Sequence, residues 1–226
     1  MFERVESLIG IDNLNKIKEK TVMVVGLGGV GGHCVESLIR SGIGNIIIVD
    51  FDKVELSNLN RQVISYYDAI GMKKTDVCKE RIKSINPGCN VISLDMFLDS
   101  KNIDSILKDH NIDYIVDACD SIDTKKVLIE KSIENKIKLI TCLGTGNKLD
   151  PSKLKITDIR NTFNDPLAKK LRKWVKDTNI KEKVMVVSSE ELPIKKGRVI
   201  STMCFVPNIA GIMLANYVIK DIILKI

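Results

Sequence analysis

Apolar residues in this chain fall into short continuous runs, separated by longer stretches in which they recur every three or four positions. Thr21–Val25 is the first run, rich in β-branched residues and followed at once by Gly26-Leu27-Gly28-Gly29-Val30-Gly31-Gly32. A helical period then runs from about Val30 to Ser41, and a second apolar run, Asn45–Val49, closes on Asp50. Polar chain continues to about Gly71. Lys74–Ile85 reads as a helix stopped by Asn86-Pro87-Gly88. Beyond it the pattern predicts a strand at Val91–Leu94, a helix at Lys101–Asp109, a strand at Tyr114–Cys119, a helix at Asp123–Asn135 and a strand at Lys138–Leu143. A short amphipathic helix over residues 11–20 precedes them. Strands alternating with helices imply βαβ units, and runs apolar at every position imply a sheet covered on both faces. The expected class is α/β: a Rossmann-like, mostly parallel sheet with helices on both faces.

The rhythm changes after Gly144-Thr145-Gly146. Residues 151–200 look less regular, hold the sole tryptophan, Trp174, and carry 13 Lys+Arg against 6 Asp+Glu in a chain whose formal net charge is +6. Charge gathered in one segment points to a polyanionic partner. From Asp165 to Lys176, Leu167, Leu171 and Val175 recur at intervals of four, so a helix would dock on that stripe. Lys169, Lys170, Arg172 and Lys173 cluster on it, with Lys169, Arg172 and Lys173 expected to face outward. Apolar helix returns over 205–224. The expected organisation is a nucleotide-binding core over residues 1–150, with residues 151–226 a basic extension and terminal helix of the same domain.

With 226 residues, 44% hydrophobic and 28% charged, the chain can bury a core without staples, which excludes disordered, collagen-like and disulfide-scaffold classes. The opening Met-Phe-Glu-Arg-Val-Glu has no basic and apolar leader pattern. Lys220 and Asp221 interrupt the apolar C-terminus, leaving about 11 clean residues where a membrane span needs ~20. No span and a cytoplasmic location are expected. Cysteines at 34, 78, 89, 119, 142 and 204 form no C-x-x-C pair, so no zinc is expected and the thiols should pack as small hydrophobes.

Gly26-x-Gly28-x-x-Gly31, after a strand and opening a helix, suits a nucleotide phosphate, and Asp50 at the next strand end suits ribose hydroxyls. That alone fits a nicotinamide dinucleotide. Asp52, Asn58, Arg61 and Gln62 follow closely, and Lys74 begins the next helix. Two cations suit a triphosphate, and Asp52 or Asp120 could hold Mg²⁺. A hydride enzyme has no need of that set.

G-L-G-G-V-G, then D-F-D-x-V-x-L-S-N-L-N-R-Q, then G-M-K-K, then V-D-A-C-D-S resembles the ubiquitin-activating-type adenylyltransferases, which include activators of the thiamine and molybdopterin sulfur carriers. Within that family, Lys155–Ile159, Asp165-Pro166-Leu167-Ala168-Lys169-Lys170-Leu171-Arg172, the opening Phe2-Glu3-Arg4, and Gly197 with Phe205-Val206-Pro207 and Ala210-Gly211 are similar to the tRNA threonylcarbamoyladenosine dehydratases. The resemblance implies ATP-dependent adenylylation of the substrate carboxylate next to the tRNA anticodon, then ring closure with loss of water. It implies that Gly26, Gly28, Gly29 and Gly31 cradle the nucleotide, Asp50 holds ribose, and Asn58, Arg61 and Lys74 hold phosphates, with Asp120 the Mg²⁺ partner. It also implies a homodimer in which Arg4 reaches the neighbouring subunit's ATP, and leaves room for a sulfur-transfer partner. The alternative is activation of a ubiquitin-like sulfur carrier. The absent zinc cysteines and the basic 151–200 segment weigh against it.

Overall fold

The computed structural model describes residues 1–194 and 201–224. Gly197 lies outside the described residues. Among the described residues seven strands form one sheet: β1 Thr21–Val25, β2 Asn45–Asp50, β3 Asn90–Asp95, β4 Tyr114–Asp117, β5 Lys138–Cys142, β6 Leu154–Asp158 and β7 Met185–Ser189. Their order is β3-β2-β1-β4-β5-β7-β6. Every neighbouring pair is parallel except β6 with β7. Strand order reverses between β1 and β4, where Val22 pairs with Ile46 on one side and Tyr114 on the other. In such sheets the crevice beyond the strand C-termini at the reversal is where ligands sit.

The helices are α1 Glu3–Ile9, α2 Ile11–Glu19, α3 Gly29–Arg40, α4 Lys74–Ile85, α5 Ile103–Asp109, α6 Ile122–Glu134, α7 Pro166–Asp177 and α8 Phe205–Leu224. Successive strand residues feed opposite layers. Val22, Val24, Ile46 and Ile48 pack with Leu38 of α3, Val77 of α4 and Leu214 of α8. Met23, Val25, Ile47 and Val49 pack with Ile103 and Ile106 of α5 and Leu128 of α6. Both sheet faces are therefore buried, which is why the strands read as unbroken apolar runs.

Two expectations need correction. β4 ends at Asp117, not Cys119, because the Asp117 carboxylate accepts the Cys119 N–H at 3.1 Å and turns the chain. Residues 151–194 are more regular than their composition suggests: β7 pairs parallel to β5, and β6 returns antiparallel along it. The opening residues form α1, a seven-residue helix with no buried side chain.

α8 is 20 residues long and apolar enough by length and composition to cross a bilayer. Here it is a core helix. It packs so closely on α3 that a Cβ at Gly211 would stand 2.1 Å from the Val30 carbonyl oxygen. Its Asp221, buried, accepts from the Tyr114 hydroxyl and from Lys138 Nζ at 2.6 Å.

Candidate nucleotide site

The turn after β1 is built on close backbone approach. Gly26 sits at φ +90, and a Cβ there would lie 2.8 Å from the Ala118 carbonyl oxygen, so the glycine loop leans directly on the turn after β4. A Cβ at Gly31 would strike the Gly26 carbonyl at 1.7 Å, so this glycine lets α3 start immediately above the strand. Gly28 is the N-cap of α3 and supplies no capping side chain, leaving the first-turn N–H groups available to an anion.

A cavity of about 380 Å³ opens beyond the ends of β1, β2 and β4. Gly26, Gly28, Gly29, Asp50, Asp52, Asn58, Arg61, Gln62, Lys74 and Asp120 all line it. Residues separated by nearly a hundred positions thus meet in one place, as the sequence reading requires. Gly31 stands behind the wall, in the packing role just described.

Asp50 does more than face a ribose. Its Oδ2 accepts the Leu27 N–H at 2.6 Å and its Oδ1 the Asp52 N–H at 2.8 Å, so it ties the glycine loop to the segment after β2. Burial pushes its carboxyl above the usual carboxylate range, while the Lys74 charge and the two N–H donors oppose that rise. Lys74 is buried, its side chain 6% exposed, and its Nζ donates to Asp52 Oδ2 at 2.7 Å. Asn58 Oδ1 accepts the Glu55 N–H at 3.1 Å, closing a capping box that sets the short helical turn before Arg61. The guanidinium of Arg61 donates to the Ser57 carbonyl at 2.8 Å and to Asn60 Oδ1 at 2.9 Å. Gln62 Oε1 accepts from the Ser65 hydroxyl. Asp120 stands exposed on the turn between β4 and α6.

Two groups escaped the sequence reading. Phe51 and Phe97 line the mouth of the cavity as an edge-to-face pair, ring centroids 5.2 Å apart. Only Phe51 carried a signal, directly after Asp50. Below the cavity lies a wholly buried ion pair, Lys125 Nζ to Asp117 Oδ2 at 3.0 Å. Burial works against the Lys125 charge, but the Asp117 carboxylate bonded to it outweighs that and holds the ammonium above its ordinary range. Removing one partner of such a pair costs about 3–5 kcal/mol.

Other predicted residues lie elsewhere. Arg4 is exposed on α1 and does not line the cavity. On α7, Ala168, Leu171 and Val175 are buried, while Lys169, Lys170 and Lys173 are exposed. Arg172 departs from expectation: it is half-buried, and its Nη1 donates to the Thr162 hydroxyl at 2.6 Å. Asp165 caps α7 through the N–H groups of Leu167 and Ala168 and accepts the Gly144 N–H, fastening the helix to the end of β5.

Comparison with known proteins agrees with this fold. A tRNA threonylcarbamoyladenosine dehydratase of Bacillus subtilis is 37% identical over 240 residues, covering 98% of this chain and 94% of that protein. The crystal structure of Escherichia coli tRNA N6-threonylcarbamoyladenosine dehydratase in complex with ATP superposes with a TM-score of 0.93 at 35% identity, covering 99% of this chain and 94% of that one. The same enzyme with AMP gives 0.92 at 34% identity, covering 98% and 93%. With the ThiF family model matching residues 3–225, the chain belongs to the ThiF family.

Proposed function

We propose that this protein is an ATP-dependent tRNA threonylcarbamoyladenosine dehydratase. The observation that carries the reading is the convergence of Arg61, Lys74 and Asp120 on the glycine-loop cavity, in a chain alike over nearly its whole length to dehydratases that include one solved with ATP and with AMP. A nicotinamide site would not call for two cations and an exposed carboxylate there.

The carboxylate of the substrate attacks the α-phosphorus of ATP, pyrophosphate leaves, and an acyl-adenylate forms. An internal nucleophile of the modified adenosine then attacks the acyl carbon, AMP leaves, and the ring closes with net loss of water. A bare carboxylate is a poor acyl donor, which is why activation precedes closure.

The chain's residues bind and orient. The α3 N-terminus and the loop Gly26–Gly29 receive phosphate oxygens through backbone N–H groups. Asp50 keeps lone pairs for a ribose hydroxyl beyond those engaged by Leu27 and Asp52. Phe51, Phe97 and Met96 offer the apolar wall for the base. Lys74, buried and oriented by Asp52, and Arg61, on the capped turn, stabilise charge that grows on the phosphates during displacement. Asn58 and Gln62 line the same space.

Mg²⁺ fits the donor set. It takes one or two carboxylates and draws its other ligands from phosphate and water, and Asp120 is an exposed carboxylate on the cavity wall. Asp120 would hold the ion, which supplies neutralisation of phosphate charge. Asp52 is committed to Lys74.

Lys169, Lys170 and Lys173 of α7 contact tRNA phosphates, the enzyme works as a homodimer to whose ATP sites Arg4 contributes from the neighbour, a sulfur-transfer protein is a candidate partner, and the location is cytoplasmic. The test is pyrophosphate release from ATP in the presence of threonylcarbamoylated tRNA or of a ubiquitin-like carrier protein. Release with the tRNA alone supports the reading, and release with the carrier alone replaces it.

A further inference from the structure

The buried pair beneath the cavity has a geometry that packing does not require. Lys125 of α6 uses all three ammonium donors: Asp117 Oδ2 at 3.0 Å, the Thr141 hydroxyl at 3.1 Å and the Cys142 carbonyl at 2.8 Å. The Thr141 hydroxyl donates in turn to the same Asp117 oxygen. The other oxygen, Oδ1, faces the opposite way and accepts from the Cys119 N–H at 3.1 Å and the Cys119 thiol at 3.0 Å. One carboxylate therefore joins α6 and β5 on one side to the turn 118–121 on the other.

That turn is a wall of the nucleotide cavity. Ala118, Cys119, Asp120 and Ser121 line it, the glycine loop leans on it at Gly26, and Ser121 Oγ caps α6 by accepting the Thr124 N–H at 3.2 Å. An apolar pair would join β4, β5 and α6 as well as an ion pair does, and often with no loss of stability. It would leave the Cys119 N–H without its acceptor. The cation from below engages Oδ2 and leaves Oδ1 to the turn.

We propose that Lys125 and Asp117 are positioning residues for the adenylylation site: the ammonium orients the carboxylate, the carboxylate shapes the turn, and the turn presents Asp120 to the metal-bound phosphates. The last link rests on the assignment of Asp120 under Proposed function. Residues behind a metal ligand commonly change affinity for the ion by about 10–100-fold when removed.

The test compares the apolar pair Asp117→Leu/Lys125→Met, the acceptor-retaining pair Asp117→Asn/Lys125→Met, and each combined with Asp120→Ala. It reads amide hydrogen exchange over residues 115–125 and the Kd of ATP with EDTA or with Mg²⁺, alongside thermal melting. In the apolar pair, Cys119 should exchange at least about tenfold faster while Ile115 and Val116 keep their protection. The tightening of ATP by Mg²⁺ should shrink by about tenfold, with the Kd in EDTA nearly unchanged. Adding Asp120→Ala should produce little further loss, because the pair acts through that residue. The acceptor-retaining pair should restore most of both readouts. A folded apolar pair with a protected Cys119 amide overturns the proposal, and so, where Asp120→Ala by itself removes the Mg²⁺ response, does an apolar pair with the full Mg²⁺ response or full additivity with Asp120→Ala. If Asp120→Ala alone leaves the Mg²⁺ response intact while the apolar pair still frees the Cys119 amide, the turn is held as proposed and the metal assignment is what falls.

Discussion

Lys74 Nζ donates to Asp52 Oδ2 at 2.7 Å, with the lysine almost wholly buried and the aspartate half-exposed at the cavity. The carboxylate aims the ammonium across the pocket from the glycine loop. Lys74→Ala and Arg61→Ala should each lower turnover by about 10²–10³ while the protein stays folded, the usual cost of losing one preorganised group that stabilises developing charge. Asp52→Asn, which keeps an oxygen acceptor, should cost less than Lys74→Ala. Pyrophosphate release checks the ranking, and near-normal turnover of Lys74→Ala would remove the phosphate assignment.

Asp50 gives the acid side of the pH response. Its folded carboxyl is pushed up by burial against the opposing pull of Lys74, so it protonates at a higher pH than an ordinary aspartate. As pH falls through that raised value the carboxylate loses its charge, and the Leu27 and Asp52 N–H groups lose their anionic acceptor. ATP affinity should weaken there, above the range where a free aspartate titrates. Asp50→Asn should bind ATP less tightly at neutral pH and lose this acid limb. A variant with the wild-type acid limb would assign it to another group.

The expected strands of the first half were readable because β1, β2 and β4 are buried on both faces and so carry no polar alternation. The same reasoning fails at the far edge. β6 is an edge strand, Leu154-Lys155-Ile156-Thr157-Asp158, with only Leu154 buried, and the short apolar run in β7 sits among lysines. In the site, the glycines, Asp50 and Lys74 were legible because each lies at a strand end or opens a helix, where the reversal of strand order brings them together, and Arg61 was legible from the motif that follows Asp50. Phe97 and the Lys125–Asp117 pair were not, since their roles depend on which loop lies across from them in space. Arg172 was misplaced because the buried stripe is Ala168, Leu171 and Val175 rather than one starting at Leu167, which puts Arg172, one turn after Ala168, at its edge within reach of Thr162.

Helix α7 separates surface charge from structure. Changing Lys169, Lys170 and Lys173 together to Ala should weaken tRNA binding and flatten its log–log salt slope by roughly two to three, since each phosphate contact contributes ~0.7–0.9. ATP affinity should stay the same. Arg172→Ala should instead lower stability by about 1 kcal/mol through the lost bond to Thr162. Filter binding at several salt concentrations, with thermal melting, distinguishes the two. An unchanged slope in the triple variant would make the lysines a solvated face.

Cys119 lines the cavity yet is built to be inert. Burial, with Asp117 beside it, pushes its thiol far above the ordinary range, and burial pushes Cys78 and Cys142 up to about 12. Iodoacetamide at pH 8 should leave all three largely unmodified in the native protein, and Cys119→Ala should retain most of the turnover, because the turn is held through the backbone N–H. Rapid alkylation of Cys119 blocked by ATP would show a reactive thiol in the site.

The central claim is the reaction itself. Wild-type protein incubated with ATP, Mg²⁺ and threonylcarbamoylated tRNA, followed by digestion and mass spectrometry of the nucleosides, should convert threonylcarbamoyladenosine to a product lighter by one water, with one AMP formed per product and conversion by Lys74→Ala slower by about 10²–10³. A nucleoside of unchanged mass, from folded protein that binds ATP, would contradict the account.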